Sequence, residues 1–223
     1  MMNIVLEKYH GLGNDYFVFD PNKNELKLTK ENVRMICDRN FGMGSDGILE
    51  GPIFQEDKIY VKVWNPDGSE AEKSGNGDRI FGKYLKDAGY IQKKHVTFYT
   101  LGGAIQVTYL NEDGSRLRAS AGKLSFWSDE IPVTGERREV INEDMVFGRT
   151  LYPVTCVSIG NPHCVIPMRE ISKPLVCKIG DYAEIARYFP NKINTQLLKV
   201  IDQENIQIEI FERGVGYTLA SGS

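Results

Sequence analysis

The pattern of apolar and polar positions predicts more strands than helices. From residue 59 to 64, Ile and Val alternate with Tyr, Lys and Trp, which is the spacing of a strand. An Asn-Pro-Asp-Gly turn follows at residues 65–68. Further strands are predicted at residues 95–100, 104–110, 198–201 and 206–211.

Helical spacing of apolar residues occurs at three places. The pattern predicts helices around residues 33–37 and 80–88, and a third over residues 182–188 that Pro190 ends. Because strands outnumber helices and no regular alternation of strand and helix is sustained, the predicted fold class is α+β.

Two turns of the chain occur twice at the same separation. Asn14 and Asn161 each follow a glycine and precede an apolar run, and Ser74 and Ser221 are each followed by glycine. The separation from Asn14 to Ser74 is 60 residues, and the separation from Asn161 to Ser221 is also 60. The repeat predicts two related halves that face each other across a ligand cleft. The polar turn at residues 111–115 is the best boundary between them, which gives domains 1–115 and 116–223.

Composition excludes several classes of function. The 223 residues carry a formal net charge of −3, so nothing favours nucleic acid or an anionic membrane as a partner. Neither a signal peptide nor an apolar run of membrane-spanning length is found, which predicts a cytoplasmic protein. The four cysteines and three histidines lack the spacing of a metal site. We therefore expect no metal, and four buried, reduced thiols.

The segment from Gly42 to Gly47 satisfies the G-x-G-x-x-G pattern of dinucleotide-binding proteins. That pattern requires a strand before it and a helix after it, so that the phosphates meet a helix N-terminus. Here the order of the predicted elements is reversed. A glycine-rich turn is the better interpretation.

Ser74 stands directly before the helix predicted at residues 80–88. Such a serine commonly caps a helix, and the same N–H groups can also bind a carboxylate. Ser221 begins a similar Ser-Gly-Ser segment. Considered singly, His163 is more typical of a structural histidine and Arg213 of a solvated charge, but an Arg can also pair with a carboxylate through two hydrogen bonds.

Six segments together resemble the diaminopimelate epimerases, and they occur in that family's order. The segments are residues 10–15, 39–47, 65–72, 74–77, 157–163 and 212–216. The resemblance implies two pseudo-symmetric α+β domains, each a mixed sheet with a central helix, and an active site in the cleft between them. It also implies interconversion of LL- and meso-2,6-diaminopimelate, a small amino-acid substrate, no cofactor and a homodimer.

The resemblance further assigns roles to individual positions. Ser74 and Ser221 match the two catalytic cysteines, and His163 and Glu212 match residues that set their protonation. The N–H groups of Gly75, Asn76, Gly222 and Ser223 would hold the α-carboxylate. The distal amino-acid head of the substrate would meet Asn65, Asn161, Asn194 and Arg213, with the substrate-binding residue Asn14 nearby.

Serine at both catalytic positions leaves activity open, because a hydroxyl is a far weaker acid than a thiol and usually needs a dedicated base. Either the two serines are engineered replacements of cysteine, or the protein comes from a natural branch of the family with serine at both sites. Lys73, Tyr217 and Ser223 also depart from the family pattern, which favours the natural branch. Family members continue beyond residue 223, so the sequence is expected to be incomplete.

Three alternative functions remain. The first is a racemase of another amino acid on the same fold, and the second is a non-catalytic protein that binds a diamino acid. A serine hydrolase that uses Ser74 and His163 is disfavoured, because no Gly-x-Ser-x-Gly turn is present.

Overall fold

The computed structural model describes residues 4–222, which divide into two compact units. Residues 4–122 and 220–222 form the first unit, and residues 123–219 form the second. Within residues 4–222, no helix is long and apolar enough to cross a membrane. Each unit is built on one mixed sheet, so the predicted α+β class is confirmed. The assignment of domains 1–115 and 116–223 stays a prediction.

The first unit contains an eight-stranded sheet with the order β1-β2-β3-β4-β6-β7-β8, in which β5 pairs with β4. Two helices accompany this sheet. The elements are β1 (Leu6–Gly11), β2 (Asn14–Phe19), α1 (Lys30–Cys37), β3 (Ile48–Gln55), β4 (Lys58–Trp64), β5 (Glu70–Ala71), α2 (Gly75–Asp87), β6 (His95–Thr100), β7 (Gly103–Tyr109) and β8 (Leu117–Ala119).

Strand β2 is buried on both faces because the two helices cover different sides of it. Successive side chains of a strand point to opposite faces. Tyr16 and Val18 belong to the core that α2 shares, whereas Phe17 and Phe19 belong to a smaller core with Val33 of α1. This explains why the apolar run before residue 20 shows no alternation.

Helix α2 is held against the sheet by one apolar face. Ile80, Phe81, Tyr84 and Leu85 are each no more than 4% exposed, as their helical spacing predicted. Burial of a large apolar side chain contributes roughly 1.5–3 kcal/mol. This packing fixes the N-terminus of α2, where Ser74 lies.

The second unit has a six-stranded sheet with the order β14-β13-β12-β11-β10-β9 and one long helix. Val176, Ile179 and Ala183 of the helix are buried in the core of this unit. The elements are β9 (Glu143–Phe147), β10 (Thr150–Ser158), β11 (Pro162–Pro167), α3 (Lys173–Glu184), β12 (Asn194–Val200), β13 (Ile206–Glu212) and β14 (Gly216–Thr218).

Two features of the second unit differ from the sequence predictions. The helix predicted over residues 182–188 begins at Lys173 and ends at Glu184. Ser172 caps it and Pro174 lies in its first turn, a start signal that the prediction overlooked. All four cysteines are free thiols, but Cys177 is partly exposed rather than buried.

Candidate active site

Ser74 caps helix α2. Its backbone is extended (φ −136°, ψ 120°), and its Oγ accepts a hydrogen bond from the N–H of Gly77 at 3.1 Å. The N–H of Asp78 donates to the carbonyl oxygen of Ser74 at 2.7 Å. Because the first N–H groups of a helix have no intrahelical partner, those of Gly75 and Asn76 are suited to bind an anion. The Gly42–Gly47 segment, by contrast, follows α1 and precedes β3, so it is a turn, as predicted.

The two Ser-Gly turns of the repeat meet within the first unit. A Cβ atom placed on Gly75 would lie 2.5 Å from the carbonyl carbon of Gly222, and one on Gly222 would lie 2.6 Å from that of Gly75. Only glycine permits this approach of one backbone to the other. Ser221 is half-buried beside this contact. Ser223, the last predicted carboxylate donor, lies outside the described residues.

A buried network of amides supports the same contact. The Asn76 Nδ2 group donates to Asn14 Oδ1 and to the carbonyl oxygen of Ala220, at 3.0 Å in both cases. Asn14 in turn donates to Asp46 Oδ2 at 2.8 Å, and Arg39 binds the other oxygen of that carboxylate at 2.7 Å. Asn14 and Asn76 therefore have structural partners at the turn, whatever they contribute to ligand binding.

Asn65 lies in the turn between β4 and β5. Its side chain is 8% exposed and donates to Ser69 Oγ at 3.0 Å, and its backbone N–H donates to the Ser69 carbonyl oxygen at 2.8 Å. These bonds close the turn that the sequence predicted at residues 65–68. Its predicted contact with substrate stays a prediction.

Two buried ionisable residues, Lys73 and Asp78, lie close to Ser74 in the sequence. Lys73 is 5% exposed, and its ammonium group donates to the carbonyl oxygen of Ala121. Burial lowers the pKa of Lys73, and the charge of Asp78 opposes that shift. Burial also raises the pKa of Asp78 to about 7, although the cations of Lys73 and Arg79 act in the opposite direction. The carboxyl group of Asp78 is therefore largely protonated in mildly acidic solution.

His163 lies on β11 in the second unit and is 4% exposed. Its Nδ1 atom is 2.9 Å from the Gln196 Nε2 group. Because an amide NH₂ group only donates, Nδ1 is the acceptor of this hydrogen bond. The parallel pairing of β11 with β12 places Asn194 beside His163.

Arg213 follows the end of β13 and is joined to β12 through Asn194. The Asn194 Oδ1 atom accepts from the backbone N–H of Arg213 at 3.0 Å, and the guanidinium donates to the carbonyl oxygen of Asn191 at 2.9 Å. Burial lowers the pKa of Arg213. Glu212 is half-buried at the last position of β13, and Asn161 is buried just before β11.

The predicted residues thus fall into two groups, one in each unit. The structure brings Asn14, Ser74, Gly75, Asn76, Ser221 and Gly222 together in the first unit, with Asn65 in a separate turn. The second unit contains Asn161, His163, Asn194, Glu212 and Arg213.

Sequence reasoning missed the residues that hold these groups in place. Gln196 against His163 and Asp46 against Asn14 gave no signal in the sequence. Tyr16 donates to Ser74 Oγ at 3.0 Å, but it stands in an apolar run that indicates only a core strand.

Comparison with solved structures defines the fold. A probable proline racemase from Agrobacterium radiobacter superposes with a TM-score of 0.73 at 13% identity, covering 98% of this chain and 73% of that one. A hydroxyproline epimerase from Agrobacterium vitis gives a TM-score of 0.68 at 11% identity, covering 96% and 72%. The fold is therefore that of the proline racemases and related epimerases.

Comparison of sequences identifies the family. The family model described as diaminopimelate epimerase matches residues 6–127 and 155–223. Diaminopimelate epimerase 2 of Nostoc sp. is 47% identical over 217 residues, which are 97% of this chain and 76% of that protein. The diaminopimelate epimerase of Methanococcus maripaludis is 36% identical over 220 residues, with 97% and 79% covered. The chain belongs to the diaminopimelate epimerase family.

Proposed function

We propose that the protein is an isomerase that interconverts LL- and meso-2,6-diaminopimelate by proton transfer at an α-carbon, without a cofactor. The relatives named above support the substrate, since two of them are called diaminopimelate epimerases. The single observation that carries the proposal is the contact of the two Ser-Gly turns through Gly75 and Gly222. It brings together the two serines that match the family's catalytic positions.

The chemistry follows from this arrangement. The N–H groups of Gly75, Asn76, Gly222 and Ser223 hold the α-carboxylate of the substrate. In one direction Ser74 removes the α-proton and Ser221 returns a proton to the α-carbon. In the reverse direction the two serines exchange these roles. As the proton leaves, negative charge develops on the carboxylate. The positive end of the α2 dipole and preorganised N–H donors stabilise that charge.

The second unit contributes the remaining proposed roles. His163 and Glu212 adjust the protonation of the catalytic groups. The distal head of diaminopimelate is recognised by Arg213 and by a set of asparagines, because Arg pairs with a carboxylate and an amide can both donate and accept. That set is Asn65, Asn161 and Asn194, with Asn14 nearby. We propose further that the protein acts in the cytoplasm as a homodimer.

Deuterium exchange tests the proposal. The protein is incubated with LL-diaminopimelate in D₂O, and α-deuterium and the meso isomer are followed by mass spectrometry and chiral chromatography. Deuterium uptake with formation of the meso isomer is expected. Parallel incubations with L-proline and with an L-amino acid that lacks the distal head measure specificity. Exchange of those compounds alone would point to a racemase of another amino acid.

A diamino-acid-binding protein without catalysis is the second candidate, and the serine pair is the observation that favours it. A serine hydroxyl is a poor acid and a poor base at neutral pH. Calorimetry separates the two candidates. Binding of diaminopimelate with no exchange over days would replace the epimerase by a binding protein, and absence of binding would exclude the substrate.

A further inference from the structure

The Tyr16 hydroxyl lies 3.0 Å from Ser74 Oγ and donates a hydrogen bond to it. Tyr16 is only 3% exposed, and it is on β2, whereas Ser74 precedes α2. A tyrosine in an apolar strand usually belongs to the hydrophobic core. When such a tyrosine is buried, its hydroxyl group usually forms a hydrogen bond with a polar partner. Here that partner is one of the two serines at the proposed catalytic positions.

Ser74 Oγ receives two hydrogen bonds. One comes from Tyr16 and the other, at 3.1 Å, from the N–H of Gly77. A serine hydroxyl has two acceptor positions and one donor. Because both acceptor positions are engaged, the hydrogen of Ser74 is directed away from both donors. Negative charge on Oγ would also be stabilised by both, and hydrogen bonds to the charged form lower the pKa of an acid.

Space for the Tyr16 ring depends on the glycine that precedes β3. A Cβ atom on Gly47 would lie 2.6 Å from Tyr16 Cε1, and the Gly47 carbonyl oxygen accepts from the N–H of Phe17 at 3.1 Å. The backbone of β2 and the position of the phenol are therefore fixed together. A fixed phenol can hold one geometry toward Ser74 without the entropy cost of ordering a mobile side chain.

We propose that Tyr16 is a positioning residue that supplies and takes up the proton that Ser74 exchanges with the substrate. This inference rests on the proposed function and deepens it. It answers the difficulty that serine needs a dedicated base, since a phenol with an ordinary pKa of about 10 is a far more accessible acid–base group than an aliphatic hydroxyl.

The proton transfers balance in both directions. When the substrate carbanion is protonated, the Ser74 O–H bond breaks as the Cα–H bond forms. The Tyr16 O–H bond breaks as a new Ser74 O–H bond forms, which leaves a phenolate that water protonates. When the α-proton is removed, the phenolate takes the proton of Ser74 while Ser74 Oγ takes the α-proton. No oxidant or other reactant is required.

The first experiment compares α-deuterium exchange of diaminopimelate across pH in four proteins. They are the wild type, Tyr16→Phe, Ser74→Cys and the double variant. In the serine protein, Tyr16→Phe is expected to lower exchange by about 100-fold, the typical effect of losing an acid–base group. It should also abolish the rise of rate with pH that a phenol acting as base produces. In the Ser74→Cys protein, Tyr16→Phe should lower the exchange rate by less than about fivefold, because a thiol ionises without help from a phenol.

Tyr9→Phe is the matched control, since Tyr9 pairs with Tyr16 across β1 and β2 but donates to Asp87. Exchange by this variant should equal that of the wild type. Equal losses from Tyr16→Phe in the serine and cysteine proteins would mean a merely structural role and would overturn the inference. So would wild-type exchange in Tyr16→Phe with an unchanged pH profile.

A second experiment does not depend on turnover. Iodoacetamide alkylation of Ser74→Cys is followed against pH by peptide mass spectrometry, which separates this thiol from the four native ones. Loss of the Tyr16 hydrogen bond in the double variant should raise the pKa of the introduced thiol by about one unit. If the wild type shows no exchange, the proposed function fails. The thiol pKa then tests the Tyr16–Ser74 hydrogen bond by itself, and an equal pKa in Ser74→Cys and in the double variant overturns the inference.

Discussion

The Asn76 side chain donates a 3.0 Å hydrogen bond to the carbonyl oxygen of Ala220, a residue 144 positions later in the chain. The same Nδ2 group donates to Asn14, so a single amide joins the two Ser-Gly turns to the start of β2. Asn76 is 2% exposed. Its hydrogen bonds therefore support the contact between the two Ser-Gly turns on which the proposed active site depends.

Asn76→Ala should lower the free energy of unfolding by about 1–3 kcal/mol, because it leaves the buried Asn14 and Ala220 oxygens without this donor. Urea unfolding followed by circular dichroism measures the change. Asn191→Ala is the control, since the Asn191 side chain is exposed. Equal midpoints for the two variants would contradict a structural role for the amide.

Gly222→Ala should destabilise the protein by about 1–3 kcal/mol, the usual cost of a side chain that overlaps neighbouring atoms. Its Cβ atom would lie 2.6 Å from Gly75, so the two turns must separate. Deuterium exchange should fall with it. Gly11→Ala is the matched control, because a Cβ there meets its nearest atoms at 3.4 Å, an ordinary contact. Full exchange by Gly222→Ala would show that the close approach is dispensable.

Asp78→Asn should stabilise the protein at pH 8 but hardly at pH 4. Burial raises the pKa of Asp78 to about 7, so between pH 4 and pH 7 the folded state holds a proton that the unfolded state has lost. Stability must fall as pH rises through this range, by up to about 1.4 kcal/mol per pH unit, and this loss disappears in the amide.

The measurement is the difference in unfolding free energy between wild type and Asp78→Asn at each pH. Asp57→Asn, at an exposed position in the β3–β4 turn, provides the reference. A difference that stays constant from pH 4 to pH 8 would show that Asp78 is charged in the folded protein.

Ser74→Cys combined with Ser221→Cys should raise deuterium exchange of diaminopimelate by about 100-fold or more near pH 8. A thiol with a pKa near 8.5 ionises readily at a helix N-terminus, whereas a hydroxyl does not. The single variants should rise less, since each leaves one serine in a two-base reaction. Exchange that is unchanged in the double variant would argue against proton transfer at these two positions.

Arg213→Met should weaken the binding of diaminopimelate by about tenfold or more, because a carboxylate loses its bidentate partner. Calorimetry measures the dissociation constant. The variant should bind an amino acid that lacks the distal head as tightly as the wild type does. This comparison distinguishes loss of distal-head recognition from a general loss of structure. Arg169→Met, at an exposed position, is the control. Undiminished binding by Arg213→Met would remove the distal-carboxylate role.

Strands and helices with clear periodicity were predictable from the sequence. The strand predicted at residues 95–100 is β6, and the helical spacing at residues 80–88 falls on α2. Helix α3 was misplaced, because the prediction followed the pattern near Tyr182 and overlooked the cap at Ser172. Periodicity reports burial, but caps decide where a helix begins.

The candidate site was less accessible to sequence reasoning than the fold. The 60-residue repeat indicated that Ser74 and Ser221 are equivalent, and the family resemblance supplied their roles. Hydrogen bonds such as Tyr16 to Ser74 join residues 58 positions apart and leave no local pattern. They depend on how β2 packs beside α2, which composition and spacing do not report.

The return of residues 220–222 to the first unit affects the order of folding. On the ribosome, Ser74 and the rest of residues 4–122 emerge well before Ala220 is synthesised, so Asn76 must wait for its distant acceptor. Contacts between residues so far apart close a long loop and form late. Until Ala220 has been made, the nascent first unit lacks the acceptor through which Asn76 joins the Ser74 turn to residues 220–222.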